Sequence, residues 1–449
     1  MVEGAARSPA ARRCLLLGLA LSVGIGVGQE VIDSVDVGGW GVGSLAYNSK
    51  AGVVYGCCLY GSNLFAIDCS TDALLAQIPL WEPKDVAYSA TSNKAYCTFY
   101  AGQGEDSVLV VDGNTHLRLR ALRMPGATSV VWDSVSDRVY VKCFSEDHVA
   151  VIDCVSDSVI ATIPVPGEPV HLTLNPRHRK LYCQNDYDMT VSVIDMNTNQ
   201  VIRDVFTGSW FFTECYSEVA DKYYCSGPPE GQGVTVIDGA TDSVIKRIPL
   251  PQGYLAQAMV SVEPESLVMV AAYSGGSDSV YSVDVFTDDI SSSVHVGSDP
   301  RVLAHSPASH TVYCANTGWD NLSVIAGDGS RVLGYVPVGD GPQTLLVVPA
   351  YEKLYVGHGG ETNMLYIIRD RVGITEPEAP RAVASYLSAS VVTGTYQYDG
   401  VVPAWLVDAS GRRVAVTRPG RNDLRALAPG VYTVIAEDAR YRRRVVKVK

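Results

Sequence analysis

The sequence predicts an all-β fold, an eight-bladed β-propeller followed by a small C-terminal β-sandwich. Three observations predict the propeller. A unit of four short strands recurs every 41–46 residues, and eight copies of its first three strands are present. Apolar and polar residues alternate with the period of a strand, and no long stretch has the period of a helix. Four strands in each repeat of about 40–45 residues are typical of a propeller blade.

Residues 171–206 show one complete repeat. They divide into "HLTLN", "KLYCQ", "VSVID" and "QVIRDVF", four alternating runs that we call strands a, b, c and d. Pro-Arg-His-Arg, Asn-Asp-Tyr-Asp and Asn-Thr-Asn separate the runs, and these are residues typical of turns. Each repeat therefore reads as one antiparallel sheet.

Two positions mark the register of the copies. Strand b carries an aromatic residue at Tyr55, Tyr96, Tyr140, Tyr182, Tyr224, Tyr313 and Tyr355, with Val270 in the sixth copy. Strand c ends at Asp68, Asp112, Asp153, Asp195, Asp238, Asp284, Ala326 and Arg369. A carboxylate at the end of a strand can bond nearby backbone N–H groups, so we expect this aspartate to shape the c–d turn. A seven-bladed ring is the alternative if one copy is degenerate.

The last copy, residues 344–370, is not followed by a d strand. The missing strand is present at the other end of the chain, because "EVIDSVDVGG" (30–39) aligns with "SVIATIPVPG" (158–167). We therefore expect the N-terminal segment to complete the last blade. This pairing would remove the exposed sheet edge that an open ring would leave.

The cysteines follow the repeat rather than a metal-binding spacing. No CxxC or Cys/His pair is present, and Cys97, Cys183, Cys225 and Cys314 each follow the marker tyrosine. This position favours small apolar fillers between sheets. The sequence leaves open whether Cys215 and Cys225, which lie across one predicted hairpin from each other, form a disulfide.

Charge and hydropathy divide the chain further. Residues 1–28, with three arginines before the apolar run "CLLLGLALSVGIGV", predict a signal peptide. Residues 381–449 hold 12 basic and 5 acidic residues, and the preceding 380 carry a net charge of −20. The acidic body argues against nucleic acid as a partner. We therefore predict a propeller over 30–370, a linker over 371–380 and a separate C-terminal module over 381–449.

Two resemblances accompany these patterns. "VPGEPVHLTLNPRHRKLYCQNDYDMTVSVID" (165–195) and "VGDGPQTLLVVPAYEKLYVGHG" (338–359) resemble the YVTN-type surface-layer (YncE-like) repeat family, which implies an extracytoplasmic propeller. "VDASGRRV" (407–414), "LAPGVYTV" (427–434) and "RRVVKVK" (443–449) resemble the sorting domain of type IX secretion substrates. That resemblance implies passage across an outer membrane and the type IX machinery as a partner. An ordinary immunoglobulin-like accessory domain is the alternative.

Propeller geometry places the d–a and b–c loops on one face, around the mouth of the central channel, where pockets are favoured. The ligand-binding candidates on these loops are Trp40, Trp81, His171, Trp210, Tyr254, Arg301 and Trp319. Clustered loop carboxylates could hold Ca²⁺, and the candidates are Glu146, Asp147, Asp186, Asp188 and Asp320. No other cofactor is expected.

Two functional hypotheses follow. The first is a secreted or cell-surface, non-catalytic binding or structural module, a monomer that contacts a protein or glycan through its loop face. The second is a propeller enzyme, a lactonase-like hydrolase or an oxidoreductase, with a site at the channel mouth. No GxSxG, Walker, HExxH or haem-attachment motif is present. The residues able to contribute acid–base or metal chemistry there are Glu146, Asp147, His148, His171 and His358.

Overall fold

The computed structural model describes two parts of the chain. These are residues 29–101, 106–210, 212–227, 232–275 and 278–371, and, nearer the C-terminus, 390–392, 395–398, 404–408, 413–418, 420–428, 430–436 and 442–447. The chain divides into two compact units, Met1–Thr375 and Glu376–Lys449. The predicted signal peptide (1–28) and residues 372–380 of the predicted linker lie outside the described residues. None of the described helices is long and apolar enough to cross a membrane.

The first unit contains eight antiparallel four-stranded sheets, which confirms the predicted eight-bladed propeller. Blades 1 to 4 contain, from a to d, Val42–Asn48, Val53–Cys58, Asn63–Asp68 and Leu74–Pro79; Pro83–Ser89, Lys94–Tyr100, Asp106–Asp112 and Arg118–Arg123; Ala127–Asp133, Arg138–Cys143, His148–Asp153 and Ser158–Pro164; and Pro169–Asn175, Lys180–Asn185, Thr190–Asp195 and Gln200–Phe206.

Blades 5 to 8 continue the pattern. Their strands are Glu214–Ser217, Lys222–Gly227, Gly233–Asp238 and Val244–Pro249; Leu255–Val262, Leu267–Tyr273, Ser279–Asp284 and Asp289–His295; Pro300–Ser306, Thr311–Asn316, Asn321–Ala326 and Val332–Pro337; and Pro342–Val348, Lys353–His358, Met364–Arg369 and Val31–Asp36. Short 3-10 helices occupy Phe144–Glu146, Glu263–Glu265 and Pro349–Tyr351.

The N-terminal strand closes the ring. Val31–Asp36 pairs antiparallel with Met364–Arg369 as the outer strand of blade 8, so the predicted closure is confirmed. The pairing continues beyond the strand, because the Arg369 N–H donates to the Glu30 carbonyl oxygen at 2.9 Å. The Arg369 guanidinium also lies 2.7 Å from the Glu30 carboxylate. Blade 8 thus has four strands, as each of the other seven blades does.

The core lies between adjacent blades. The marker tyrosines of strand b are among the largest fully buried side chains, and nine of the ten described cysteines are buried beside them. Burial raises the pKa of the Cys143 and Cys154 thiols to about 12, so both stay protonated. This agrees with the predicted role of the cysteines as small fillers. Cys215 and Cys225 are free thiols.

The recurring aspartate of strand c shapes the c–d turn, as predicted. Asp68 accepts hydrogen bonds from the N–H groups of Ser70 and Thr71, both at 2.8 Å. The Ser70 hydroxyl and these N–H groups lower the pKa of the Asp68 carboxyl. The aspartate is therefore architectural.

A second aspartate, four residues later in the same turn, joins neighbouring blades. It adopts positive φ at Asp72, Asp157, Asp242 and Asp288. The lysine that begins strand b of the preceding blade forms an ion pair with it, at 2.7 Å in the pairs Lys353–Asp72, Lys94–Asp157, Lys180–Asp242 and Lys222–Asp288. We call these contacts the inter-blade ion pairs. Lys353–Asp72 joins blade 8 to blade 1.

The C-terminal unit contains two sheets. The larger sheet has the order Ser390–Val392, Arg442–Lys447, Gly430–Ala436, Ala404–Asp408 and Arg413–Thr417, and the smaller pairs Thr395–Tyr398 with Gly420–Asp423. Ala404–Asp408 and Arg413–Thr417 pair antiparallel as neighbouring strands of the larger sheet. Leu406, Leu424 and Tyr432 are buried.

Candidate functional site

The d–a corners and b–c loops lie together on one face of the propeller, as predicted. The Leu59 N–H, in a b–c loop, donates to the Gly41 carbonyl oxygen of a d–a corner at 2.9 Å, and Asp186 N–H donates to the Glu168 oxygen at 3.0 Å. We call this surface the loop face, and the opposite surface, formed by the a–b and c–d turns, the turn face. Loops on one face of a rigid scaffold are common positions for binding residues.

Large aromatic side chains are exposed on the loop face. Of the four predicted tryptophans, Trp81, Trp319 and Trp210 are 60%, 58% and 51% exposed and Trp40 is 38% exposed. Trp40 stacks on Tyr60 with ring centroids 4.6 Å apart. The same loops expose further aromatic residues that the site prediction did not include, namely Tyr60, Phe144, Tyr187 and Phe212. We call these eight residues the aromatic rim.

The turn face is different. Its exposed large apolar residues are Leu117, Val135, Val155, Val219 and Phe286, so among the described residues it presents a single exposed large aromatic ring. Aromatic residues are enriched at protein interfaces, whereas aliphatic residues scattered singly over a surface are common and need no binding role. The contrast between the faces therefore identifies the loop face as the candidate interaction surface.

The other predicted ligand residues occupy different positions. Tyr254 is half-buried at a d–a corner, and its ring packs edge-to-face against the ring of Tyr281 with their centroids 5.8 Å apart. The exposed Arg301 lies 2.8 Å from the Asp299 carboxylate and belongs to strand a of blade 7. His171 lies in strand a of blade 4 and faces the channel. Tyr254 and His171 are thus less exposed than the tryptophans of the rim, and Arg301 is engaged by a carboxylate.

The predicted metal-binding carboxylates lie at two places on the loop face. At the corner between blades 3 and 4, Asp147 accepts a hydrogen bond from Glu168 N–H and Asp188 accepts one from Gly167 N–H, both at 2.9 Å. Between blades 7 and 8, Asp320 accepts a hydrogen bond from Gly341 N–H at 3.0 Å. These bonds fix the corners.

Of the remaining two candidates, Asp186 is half-buried and Glu146 is exposed. Across the described residues, no group of three or more His, Cys, Asp or Glu side chains is arranged to hold a metal ion.

The channel wall arises from an irregularity repeated in strand a. In seven blades this strand has a β-bulge near its start, at Gly43, Lys84, Thr128, Val170, Gln257, Arg301 and Gln343. A bulge re-aims side chains, so consecutive residues of strand a can contribute to the channel wall. The wall lines an open cavity of about 450 Å³. Its lining residues are Gly43, Ser44, Leu45, Lys84, Asp85, Thr128, Ser129, Lys142, Val170, His171, Val302, Gln343, Thr344 and Leu345.

Asp85 joins three blades at this cavity. One carboxylate oxygen accepts hydrogen bonds from the Ser44 hydroxyl of blade 1 (2.6 Å) and Val86 N–H (2.9 Å). The other accepts from the Ser129 hydroxyl of blade 3 (2.6 Å) and Val130 N–H (2.9 Å). Four donors satisfy this carboxylate, so its role is to hold blades 1, 2 and 3 together.

Lys142 and His171 lie beside it in the wall. Lys142 Nζ donates to the Val170 carbonyl oxygen at 2.7 Å. Burial lowers the pKa of Lys142, while the negative charge of Asp85 opposes that shift. Burial, together with the positive charge of Lys142, lowers the pKa of His171 to about 4, so its imidazole is neutral at pH 7.

Glu214, at the start of strand a in blade 5, forms a second polar cluster. Burial raises the pKa of Glu214 to about 7, against the opposing effects of hydrogen bonds from Thr173 and Tyr223 and of the Lys142 charge. Tyr223 donates its hydroxyl to the Glu214 carboxylate and accepts a hydrogen bond from Gln184 Nε2 at 2.7 Å. The sequence analysis did not identify Asp85, Lys142 or Glu214, since only the bulges and register reveal that they neighbour the channel.

The residues that an enzyme-type site would need do not converge around one point. Glu146, Asp147 and His148 belong to blade 3 and His171 to blade 4, whereas His358 belongs to blade 8, across the ring from blade 4. His358 is fully buried against Tyr366, with ring centroids 4.9 Å apart. Burial lowers its pKa, so it is held as a neutral core residue.

Comparisons with known proteins agree with the fold. No protein-family model matches the chain. Protein NirF of Stutzerimonas stutzeri is 23% identical over 177 residues, which is 39% of this chain and 40% of that protein. The solved structure of the Dos1 propeller superimposes with a TM-score of 0.63 and 12% identity, covering 78% of this chain and 97% of that one. At this identity the likeness shows the fold alone: the chain contains an eight-bladed β-propeller.

Proposed function

We propose that this protein is an exported, non-catalytic binding module that contacts a macromolecular partner through its loop face. The observation that carries the proposal is the aromatic rim. Four tryptophans from separate corners and loops of the ring are exposed on one face, namely Trp40, Trp81, Trp210 and Trp319. The turn face of the same scaffold has no comparable group among the described residues.

The physical argument rests on the properties of tryptophan and tyrosine. Each buries a large apolar area when a partner covers it, and both are enriched among the residues that dominate binding energy. Their rings can also stack on the apolar face of a sugar. The partner we propose is therefore a protein or a glycan, and the net charge of −20 over residues 1–380 argues against nucleic acid.

Export is part of the proposal and rests on the sequence. The signal-peptide pattern of 1–28 and the YVTN-type repeats support a location outside the cytoplasm. The basic C-terminal module, with its resemblance to type IX sorting domains, supports passage across an outer membrane. We propose a monomeric protein that is secreted or displayed at the cell surface.

The test compares the two faces of one scaffold. A variant with Trp40→Ala, Trp81→Ala, Trp210→Ala and Trp319→Ala removes the tryptophans of the rim, and a matched control carries Val155→Ala and Phe286→Ala on the turn face. Wild type and both variants are applied to a glycan array and to a cross-linking pull-down from the surface fraction of the source cells. Thermal unfolding verifies that all three are folded.

We expect the wild type and the control to bind the same partner and the rim variant to lose at least about thirtyfold in affinity, because a single hot spot contributes about 2 kcal/mol or more. Equal binding by the rim variant would contradict the proposed face. A wild type that retains no glycan or protein above background in either assay would contradict a binding role.

A further inference from the structure

The two lysines that line the channel cavity differ in how many of their hydrogen-bond donors have a partner in the protein. Lys142 donates one hydrogen bond, to the Val170 carbonyl oxygen, and no described carboxylate is in ion-pair contact with its ammonium group. Lys84, which lines the same cavity, is by contrast bound to Asp106 at 2.6 Å. An ammonium group has three N–H donors. Lys142 therefore retains donors and a positive charge that the protein itself does not use.

Two neutral groups beside Lys142 are also available. The Thr128 hydroxyl is buried and makes no hydrogen bond to any described residue. His171, held neutral, carries one N–H and makes no hydrogen bond within the described part of the chain. An unsatisfied buried donor costs free energy, so an acceptor that reached the Thr128 hydroxyl would be favoured.

The carboxylate in the cavity wall is already occupied. Asp85 receives four hydrogen bonds, from Ser44, Ser129 and two backbone N–H groups. Its negative charge remains near the cavity and opposes the binding of anions, more strongly for a ligand that carries more than one negative charge than for a monoanion. The wall is thus suited to a singly charged acceptor group.

The opposite side of the cavity is apolar. Leu45, Val302 and Leu345, from blades 1, 7 and 8, line it across from blades 3 and 4. They are half-buried rather than covered by other side chains, so apolar surface is open to the cavity. The volume of about 450 Å³ falls within the range of sites for small molecules.

We propose that the channel binds a small aliphatic monocarboxylate. Its carboxylate accepts hydrogen bonds from Lys142, Thr128 and His171, and its hydrocarbon chain packs on Leu45, Val302 and Leu345. The charge-assisted hydrogen bond from Lys142 orients the carboxylate of the ligand. The apolar side of the cavity favours a ligand with a hydrocarbon chain, because burial of that chain is favourable. This site is separate from the aromatic rim, so its occupancy does not depend on the proposed macromolecular partner.

The experiment uses hexanoate as the probe and isothermal titration calorimetry on the full chain. Hexanol tests the need for a carboxylate, acetate the need for a chain, and inorganic phosphate the preference for a single charge. The variants are Lys142→Met, which removes the ammonium group, and Thr128→Val, which removes the hydroxyl alone. Lys50→Met, at an exposed lysine outside the cavity, is the matched control.

We expect saturable hexanoate binding that weakens at least about tenfold in Lys142→Met, weakens less in Thr128→Val and is unchanged in Lys50→Met. Hexanol, acetate and phosphate should each bind more weakly than hexanoate. Absence of hexanoate binding, or unchanged affinity in a folded Lys142→Met variant, would overturn the proposal. If Lys142→Met does not fold, unchanged affinity in Thr128→Val overturns it instead. The rim variant should bind hexanoate as the wild type does.

Discussion

Replacing Glu214 by Gln should change how the stability of the propeller depends on pH. Glu214 is half-buried near the channel and accepts a hydrogen bond from the buried Tyr223. Glutamine resembles the protonated carboxyl in size and can accept the same bond through its side-chain oxygen. The variant therefore mimics the wild type at low pH and differs from it where the wild-type carboxyl ionises.

The magnitude follows from the shifted pKa. Burial raises the pKa of Glu214 from 4.5 to about 7. Between these two values the unfolded chain has lost the proton while the folded protein still holds it, so the free energy of unfolding of the wild type falls as pH rises. A pKa difference of about 2.5 between the two states, at about 1.4 kcal/mol for each pH unit, sets an upper limit of about 3.5 kcal/mol. Water in the channel should reduce the observed value to about 1–3 kcal/mol.

The assay is urea-induced unfolding of wild type and Glu214→Gln at intervals between pH 4 and 8. We expect the two proteins to have equal free energies of unfolding near pH 4.5. Between pH 4.5 and about 7 the free energy of unfolding of the wild type should fall relative to that of the variant. Glu218→Gln, which removes an exposed carboxylate just beyond the same strand, is the matched control. A difference between Glu214→Gln and wild type that stays constant from pH 4.5 to 7 would refute the reasoning.

His171 provides a check of opposite sign. Burial lowers its pKa from 6.5 to about 4, so the unfolded chain gains a proton at a higher pH than the folded protein does. The wild type should therefore lose stability as pH falls from 6.5 towards 4, and His171→Gln should gain on it over that interval. A His171→Gln variant whose difference from the wild type rose with pH would contradict the buried neutral imidazole.

Three further predictions concern the scaffold. Deletion of 30–39 should cause a large drop in the melting temperature or aggregation, because the edge of blade 8 becomes exposed; an unchanged melting curve would show that the ring does not need this strand. Lys353→Met should lower the free energy of unfolding by about 3–5 kcal/mol in chemical denaturation, because Asp72 loses its cation; a loss below about 1 kcal/mol would mean that water replaces the lysine. Arg179→Met should lower the free energy of unfolding by a similar amount, since it leaves the buried Asp133 without its cation; in the wild type the pKa of Asp133 is lowered from 3.8 to about 2. The stability that this pair contributes is present above pH 3.8 and is lost as pH falls towards 2. An acid-unfolding midpoint that is equal in both proteins would contradict this prediction.

Repetition explains why so much of the fold could be predicted. A deviation in one copy, such as Val270 in place of tyrosine in blade 6, does not obscure a register set by seven others. The aspartate of strand c acts through atoms two and three residues away, so its local role was also accessible from the sequence. The inter-blade ion pairs were missed because Lys94 and Asp157 are distant in the chain, although the spacing of four residues between the two turn aspartates recurs.

The candidate sites divide along the same line. The exposed tryptophans of the rim could be named in advance because a large apolar residue in a polar loop is conspicuous in a sequence. Asp147 and Asp188 were also conspicuous, but in the structure a carboxylate oxygen of each accepts a hydrogen bond from a backbone N–H at the corner. Lys142, in the interior of a strand, gave no such signal.

The sequence by itself determined the number of blades, the four strands of each blade, the N-terminal strand that closes the ring and the face on which the variable loops lie. These features follow from alternation, turn residues and period, which are local properties copied along the chain. Tertiary structure alone decided the chemistry of the channel. A β-bulge changes which residues of strand a reach the channel, and the closed ring brings together residues from blades that are far apart in the chain. The pKa values of Glu214 and His171, and the unused donors of Lys142, arise from burial and from neighbours that only the folded ring supplies.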